Sequence, residues 1–193
     1  MTSADGAMRR IVVLGNSGAG KTHFARRLGA ALGIDVHHLD FHHWQPGWQK
    51  PDPDDFAHLN RELIAGDAWV IEGNYSATRA VRLEAADTII YLRERPWLCA
   101  WRFLWRCWTN RDRPDLPPGC REPYFSWDLV AHLRYILRHG RDKEPSLLAE
   151  IDRYRPGREA HLLDGRAEVE AFLRSIENRP ASAGGDTLET QQV

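Results

Sequence analysis

The 193-residue chain has little that could cross-link it or seat it in lipid. Its three cysteines, Cys99, Cys107 and Cys120, are odd in number and form no close pair. That argues against a disulfide framework and for a reducing, cytoplasmic setting. Their uneven spacing also lacks the CxxC signature of a zinc-bearing lid. No apolar run approaches the roughly 18 residues that span a bilayer, so no membrane partner is expected. Residues 1–10 hold no apolar segment of the secretory kind. The formal net charge is only -1, whereas a protein that coats DNA is normally strongly basic. Nucleic acid is therefore not the favoured partner, although a local basic groove stays open.

What is present is the pattern of one globular unit. Residues 1–8 read as a loose leader and 178–193 as a disordered polar tail, which leaves a single domain over 9–177. Within it, short β-branched runs alternate with amphipathic stretches. Arg10–Leu14, Ile34–Leu39, Ala68–Ile71, Thr88–Leu92 and Ala160–Leu163 read as strands. Lys21–Leu32, Asp54–Ala65, Pro96–Trp108, Trp127–His139, Ser146–Tyr154 and Ala167–Ile176 read as helices. The alternation predicts an α/β fold, a five-stranded parallel sheet with helices on both faces. Four prolines and a glycine between Asp112 and Tyr124 mark a loop or lid, over about 111–125. Trp97, Trp101, Trp105 and Trp108 share one helix face, which we expect to pack on the sheet or lid. Base stacking is the other reading of that stripe.

The strongest motif is the run Gly15, Asn16, Ser17, Gly18, Ala19, Gly20, Lys21 and Thr22, a full G-x-x-x-x-G-K-[ST] match. A strand precedes it and a helix follows it, as its chemistry requires. Glycines let the backbone close around phosphates with N–H groups turned inward, and the helix start adds partial positive charge. Lys21 is expected to reach the β- and γ-phosphates, and Thr22 to ligate Mg2+ through its hydroxyl. The implied cofactor is ATP with Mg2+, and GTP remains open. No Asn-Lys-x-Asp motif for reading guanine is present, which disfavours a GTPase switch.

A phosphate site of this kind needs a second acid. Glu72, at the end of the third apolar run, is the candidate to hold the metal or accept a proton. Asp40 follows the second strand, and strand ends face the ligand crevice in a parallel sheet. We therefore place a small-molecule acceptor near Asp40, Trp44, Glu72, Asn74, Arg79 and Arg82. His37, His38, His42 and His43 surround Asp40, but neighbouring strand residues face opposite ways, so substrate contacts are preferred to a dedicated metal site. Arginines are dense from Arg93 to Arg113, including Arg102 and Arg106, as phosphoryl transfer under a closing lid would use.

Several motifs together resemble one family. They are the P-loop, His38-Leu-Asp40, Trp44-Gln-Pro-Gly-Trp48, Trp69-Val-Ile-Glu-Gly-Asn-Tyr75, Ala86-Asp-Thr-Ile-Ile-Tyr-Leu92 and Gly119-Cys-Arg-Glu122. Over about residues 9–175 the chain resembles the adenylate-kinase-related P-loop proteins labelled "DNA topology modulation protein". The resemblance implies a nucleotide-kinase-like fold with sheet order 2-3-1-4-5 and an arginine-bearing lid. It also implies that Arg134 and Arg138 contact the transferred phosphoryl group, beside Lys21 and Glu72 in catalysis. The family usually has aspartate where this chain has Glu72. The expected function is transfer of a γ-phosphate to a small-molecule acceptor of nucleoside or nucleotide type, by a monomer or homodimer. The alternative is an ATP-binding regulator linked to nucleic acid.

Overall fold

Valine and isoleucine dominate the three central strands because those strands are covered on both faces. The structure, a computed structural model, describes residues 8–109, 116–120 and 127–178. The chain runs through β1 (Arg10–Gly15), α1 (Lys21–Leu32), β2 (Val36–His38), a short α2 (Leu39–His43) and α3 (Pro53–Leu63). It continues through β3 (Trp69–Glu72), α4 (Ser76–Ala85), β4 (Thr88–Arg93) and α5 (Pro96–Thr109). Then follow α6 (Trp127–Asp142), α7 (Glu144–Tyr154), β5 (Glu159–Asp164) and α8 (Gly165–Glu177). The strands form one sheet in the order β2-β3-β1-β4-β5, with every neighbouring pair parallel.

Alternate residues of each central strand feed two separate cores, as a two-residue side-chain period requires. Ile11 and Val13 of β1 join Phe24, Leu28, Phe103 and Ile136 on one face. Val12 and Leu14 join Phe56, Leu83, Leu147 and Ile151 on the other. Val70 of β3 and Ile90 of β4 face the first core, and Ile71 and Ile89 the second.

Three sequence expectations shift. β2 stops at His38, so Asp40 lies in the first turn of α2 rather than at a strand end. α4 was not expected, because its buried face is Thr78, Arg82 and Leu83, and two polar residues there erase the apolar period. The tryptophan stripe of α5 does not pack inward: Trp97, Trp101, Trp105 and Trp108 are 59%, 58%, 55% and 79% exposed. Cys99, Ala100, Phe103 and Cys107 take the inner face instead. Of the expected lid over 111–125, only 116–120 are described. There Leu116 and Cys120 are buried, and the Cys120 thiol donates to the Gln45 carbonyl at 3.1 Å. The leader up to residue 7 and the tail beyond 178 lie outside the described residues.

One glycine sets how closely α1 approaches β2. A Cβ at Gly29 would lie 2.3 Å from Val36 Cγ2 and 2.7 Å from the Ile34 carbonyl oxygen. Alanine at a helix interior normally gains up to about 1 kcal/mol over glycine. Here the backbone oxygen cannot yield cheaply, so Gly29→Ala should destabilise by ~1–3 kcal/mol. A lower urea midpoint at unchanged slope would register it; a raised midpoint would show that α1 has room.

Candidate functional site

The glycine-rich turn after β1 takes its shape from three residues at positive φ. Gly15, Gly18 and Gly20 sit at φ 148°, 84° and 96°. Two of them are also pressed against neighbours. A Cβ at Gly15 would lie 2.6 Å from the Leu92 carbonyl oxygen, and one at Gly18 would lie 2.4 Å from that of Cys99. Gly20 is the left-handed cap from which α1 starts. The loop is also tied down from outside. The Asn74 side chain pairs with the Gly15 backbone in both directions, accepting from its N–H at 3.2 Å and donating to its carbonyl at 2.9 Å. The Asn16 amide donates to the Ile136 carbonyl on α6 at 2.9 Å. His132 of α6 meets the Ser17 hydroxyl at 3.2 Å.

Lys21 and Thr22 open α1 on the cleft side. Lys21 Nζ donates to the Gly15 and Asn16 carbonyls, both at 3.1 Å, and so lies across the loop. The register Val13↔Glu72 puts the end of β3 beside the P-loop strand. Thr22 Oγ1 then reaches Glu72 Oε1 at 3.0 Å, and His38 Nδ1 reaches the same oxygen at 3.1 Å. Glu72 is 3% exposed. Burial alone would raise its pKa, but the His38 hydrogen bond, the Lys21 charge and the Thr22 bond outweigh burial and hold it below the ordinary value. The carboxylate is therefore ionised and accepts only, so both Thr22 and His38 donate to it.

A cleft of about 700 Å3 opens from this point. Its walls include Lys21, Thr22, Asp40, Glu72, Arg102 and Arg106. Asp40 Oδ1 accepts from the Tyr75 hydroxyl at 2.6 Å, and burial followed by the Asp40 charge raises the Tyr75 pKa. Beside that pair lies an aromatic cluster: His43 packs tilted against Tyr75 and edge-on to Phe56, with ring centroids 4.5 and 4.7 Å away. Trp44, half-buried, meets His43 and Trp48 edge to face.

The other expected site residues are placed differently. Asn74 serves the P-loop rather than the acceptor side. Arg79 is spent on Glu150 of α7, with Nε at 2.9 Å. Arg82 is fully buried; it donates to the carbonyls of Gly73, Asn74 and Tyr75 at 2.8, 3.2 and 3.1 Å. It organises the turn after β3 and does not face the cleft. Burial and then Arg79 push its pKa down from the usual arginine value. Arg134 and Arg138 leave the site as well. α6 turns His132 and Ile136 toward the P-loop, and Arg134, two residues from each, falls about 200° around the helix. Arg138 Nε instead lies 3.0 Å from Asp142.

Sequence reasoning did not single out five contributors. His38 was read as part of a histidine cluster and of a motif, and Tyr75 only as part of a motif. Arg102 and Arg106 were two among many arginines, and His132 carried no signal at all. The i, i+4 spacing of Arg102 and Arg106 beside the buried face of α5 was the available clue for the arginines.

No family model matches the chain, and no curated protein matches it. Solved structures do. A shikimate kinase from Acinetobacter baumannii, in complex with shikimate, aligns with a TM-score of 0.53 at 20% identity over 91% of this chain and 94% of that one. The chain has a P-loop kinase fold. A shikimate kinase from Bacteroides thetaiotaomicron aligns at 0.50 and 15% identity over 89% of this chain and 97% of that one. A gluconokinase from Sinorhizobium meliloti 1021 aligns at 0.50 and 17% identity over 87% and 89%. At these identities the likeness concerns the fold. No helix among the described residues is long and apolar enough to cross a membrane.

The role of Arg82 is open to a stability measurement. Arg82→Met keeps most of the volume but leaves three inward carbonyls without their donor. It should destabilise by roughly 3 kcal/mol or more, since each orphaned buried acceptor costs ~1–3 kcal/mol. Arg134→Ala, on an exposed helix face, should stay within about 0.5 kcal/mol of the parent. Equal urea midpoints for the two variants would contradict the buried placement.

Proposed function

We propose that this chain is an ATP- and magnesium-dependent phosphotransferase that moves a γ-phosphate to a small-molecule acceptor. One observation carries the reading: the P-loop hydroxyl of Thr22 and the buried, ionised Glu72 meet at 3.0 Å at the head of a cleft that also holds Lys21 and Asp40. A hydroxyl and a carboxylate are the hard oxygen donors that Mg2+ prefers, so this donor set fits the metal. Thr22 and Glu72 would hold it, and its charge, once bound, offsets that of the β- and γ-phosphate oxygens.

The chain's own groups then divide the work. The loop Gly15, Asn16, Ser17, Gly18, Ala19 and Gly20 cradles the phosphates. Lys21 leaves its two carbonyls for phosphate oxygens. Arg102 and Arg106 line the same cleft and would stabilise charge on the moving group, the role first assigned to Arg134 and Arg138. Asp40, fixed by Tyr75, faces the acceptor and can take the proton from its hydroxyl. Trp44 and the aromatic cluster would wall the acceptor side. Most of the rate gain then comes from positioning and electrostatics, as phosphoryl transfer needs little covalent help.

The motif set places the chain, in our reading, with the adenylate-kinase-related proteins labelled "DNA topology modulation protein". That label supplies no acceptor. The fold is shared with proteins described as shikimate kinase and gluconokinase, so hydroxylated small molecules belong in the search beside nucleosides and nucleotides. ATP is the preferred donor, with GTP as a competitor.

The test is a screen of purified protein with ATP and Mg2+ against nucleosides, nucleoside monophosphates and small polyols, read by the phosphate mass shift of the product. Lys21→Ala should abolish transfer and weaken nucleotide binding. Asp40→Asn should lower kcat by about 100-fold or more while leaving ATP affinity unchanged. Full turnover by Lys21→Ala would sink the P-loop reading. A screen without any product, together with salt-sensitive DNA binding, would favour the nucleic-acid-linked regulator.

A further inference from the structure

α5 divides into three faces. Cys99, Ala100, Phe103 and Cys107 point into the core. Arg102 and Arg106 line the cleft edge. The third face turns to solvent and carries Trp97, Trp101, Leu104, Trp105 and Trp108. Trp97, Trp101, Leu104 and Trp108 follow a 4-3-4 spacing, the a/d rhythm of helices that pair along a seam. Trp105 widens it to a stripe about 100° across.

An exposed apolar face of this size and order is uncommon on a free surface. Each tryptophan is more than half exposed, which amounts to roughly 500–600 Å2 of apolar surface, given the 150–250 Å2 that an aromatic side chain can bury. Two such faces would remove roughly 1,100 Å2 from water, close to the lower bound of about 1,200 Å2 for specific interfaces. The charge pattern decides what kind of partner fits. A lipid surface or a single-stranded nucleic acid is usually met by cations interleaved with the aromatics. Among the described residues this seam holds none. The only charged side chains of α5 are Arg102 and Arg106, both on the cleft edge, and Arg102 is paired with Glu94 at 3.2 Å. A neutral, aromatic, self-complementary stripe suits its own copy, because no like charges then face each other across a twofold axis.

We infer that a second copy of this chain docks on the tryptophan seam, α5 against α5, to form a symmetric homodimer. The pairing would clamp the helix whose inner edge lines the cleft, so dimerisation would fix Arg102 and Arg106 in place. The inference does not depend on which reaction the cleft performs.

Sedimentation velocity of the purified full chain over a dilution series tests this. The expected result is a concentration-dependent rise from a 22.2 kDa species to one of twice that mass. Tryptophan emission should move to shorter wavelength as the seam leaves water. Trp101→Glu/Trp105→Glu should stay at the smaller mass with an unchanged far-UV spectrum. Should that pair disturb folding, Trp97→Glu/Trp108→Glu reads the same seam from its ends. A single 22.2 kDa species at every concentration would overturn the inference. So would a dimer that survives both variants, or a monomer that pellets with anionic vesicles or binds a single-stranded oligonucleotide through these tryptophans.

Discussion

One buried oxygen holds the site together. Glu72 Oε1 accepts from Thr22 on α1 and from His38 on β2, at 3.0 and 3.1 Å. A carboxylate with almost no solvent exposure survives in ionised form only because those donors and Lys21 offset its desolvation. The arrangement works because β3 lies between β1 and β2. Only the middle of that order lets one side chain reach the P-loop on one side and the neighbouring strand on the other.

The P-loop itself is held from three directions. Asn74 grips Gly15 from the β3 turn, α6 grips Asn16 and Ser17, and α5 presses on Gly18 through the Cys99 carbonyl. A phosphate cradle must keep its shape before the ligand arrives, or the ordering cost would fall on binding. Here that ordering is supplied by the Asn74 side chain on the Gly15 backbone, the Asn16 side chain on the Ile136 carbonyl, and His132 on the Ser17 hydroxyl. Asn74, expected from the sequence near an acceptor, belongs to this bracing through the Gly15 backbone.

Much of the fold was legible because it rests on local signals. The strand Arg10–Leu14, the glycine run and the helix behind it are contiguous in sequence, so pattern alone locates them. Glu72 was legible because an acid closing an apolar strand stands out. What stayed hidden depends on long-range geometry. Arg82 reads as an acceptor contact until the turn at Gly73, Asn74 and Tyr75 folds its carbonyls inward. His132 lies 115 residues from Ser17, and no local spacing announces the pair. The tryptophan stripe was correctly seen as one face, but periodicity shows only that a face exists. Its direction was decided by Cys99, Ala100, Phe103 and Cys107, smaller residues that fit closer to the sheet.

Two turns at the head of the sheet each gather backbone carbonyls onto one cation. After β1, those of Gly15 and Asn16 meet Lys21 Nζ; after β3, those of Gly73, Asn74 and Tyr75 meet Arg82. Arg82 is fully buried, so salt screens it little. Lys21 lies on the cleft wall and would give up only two hydrogen bonds on turning outward. The fold thus fixes one cation in place and leaves the other able to exchange its partners.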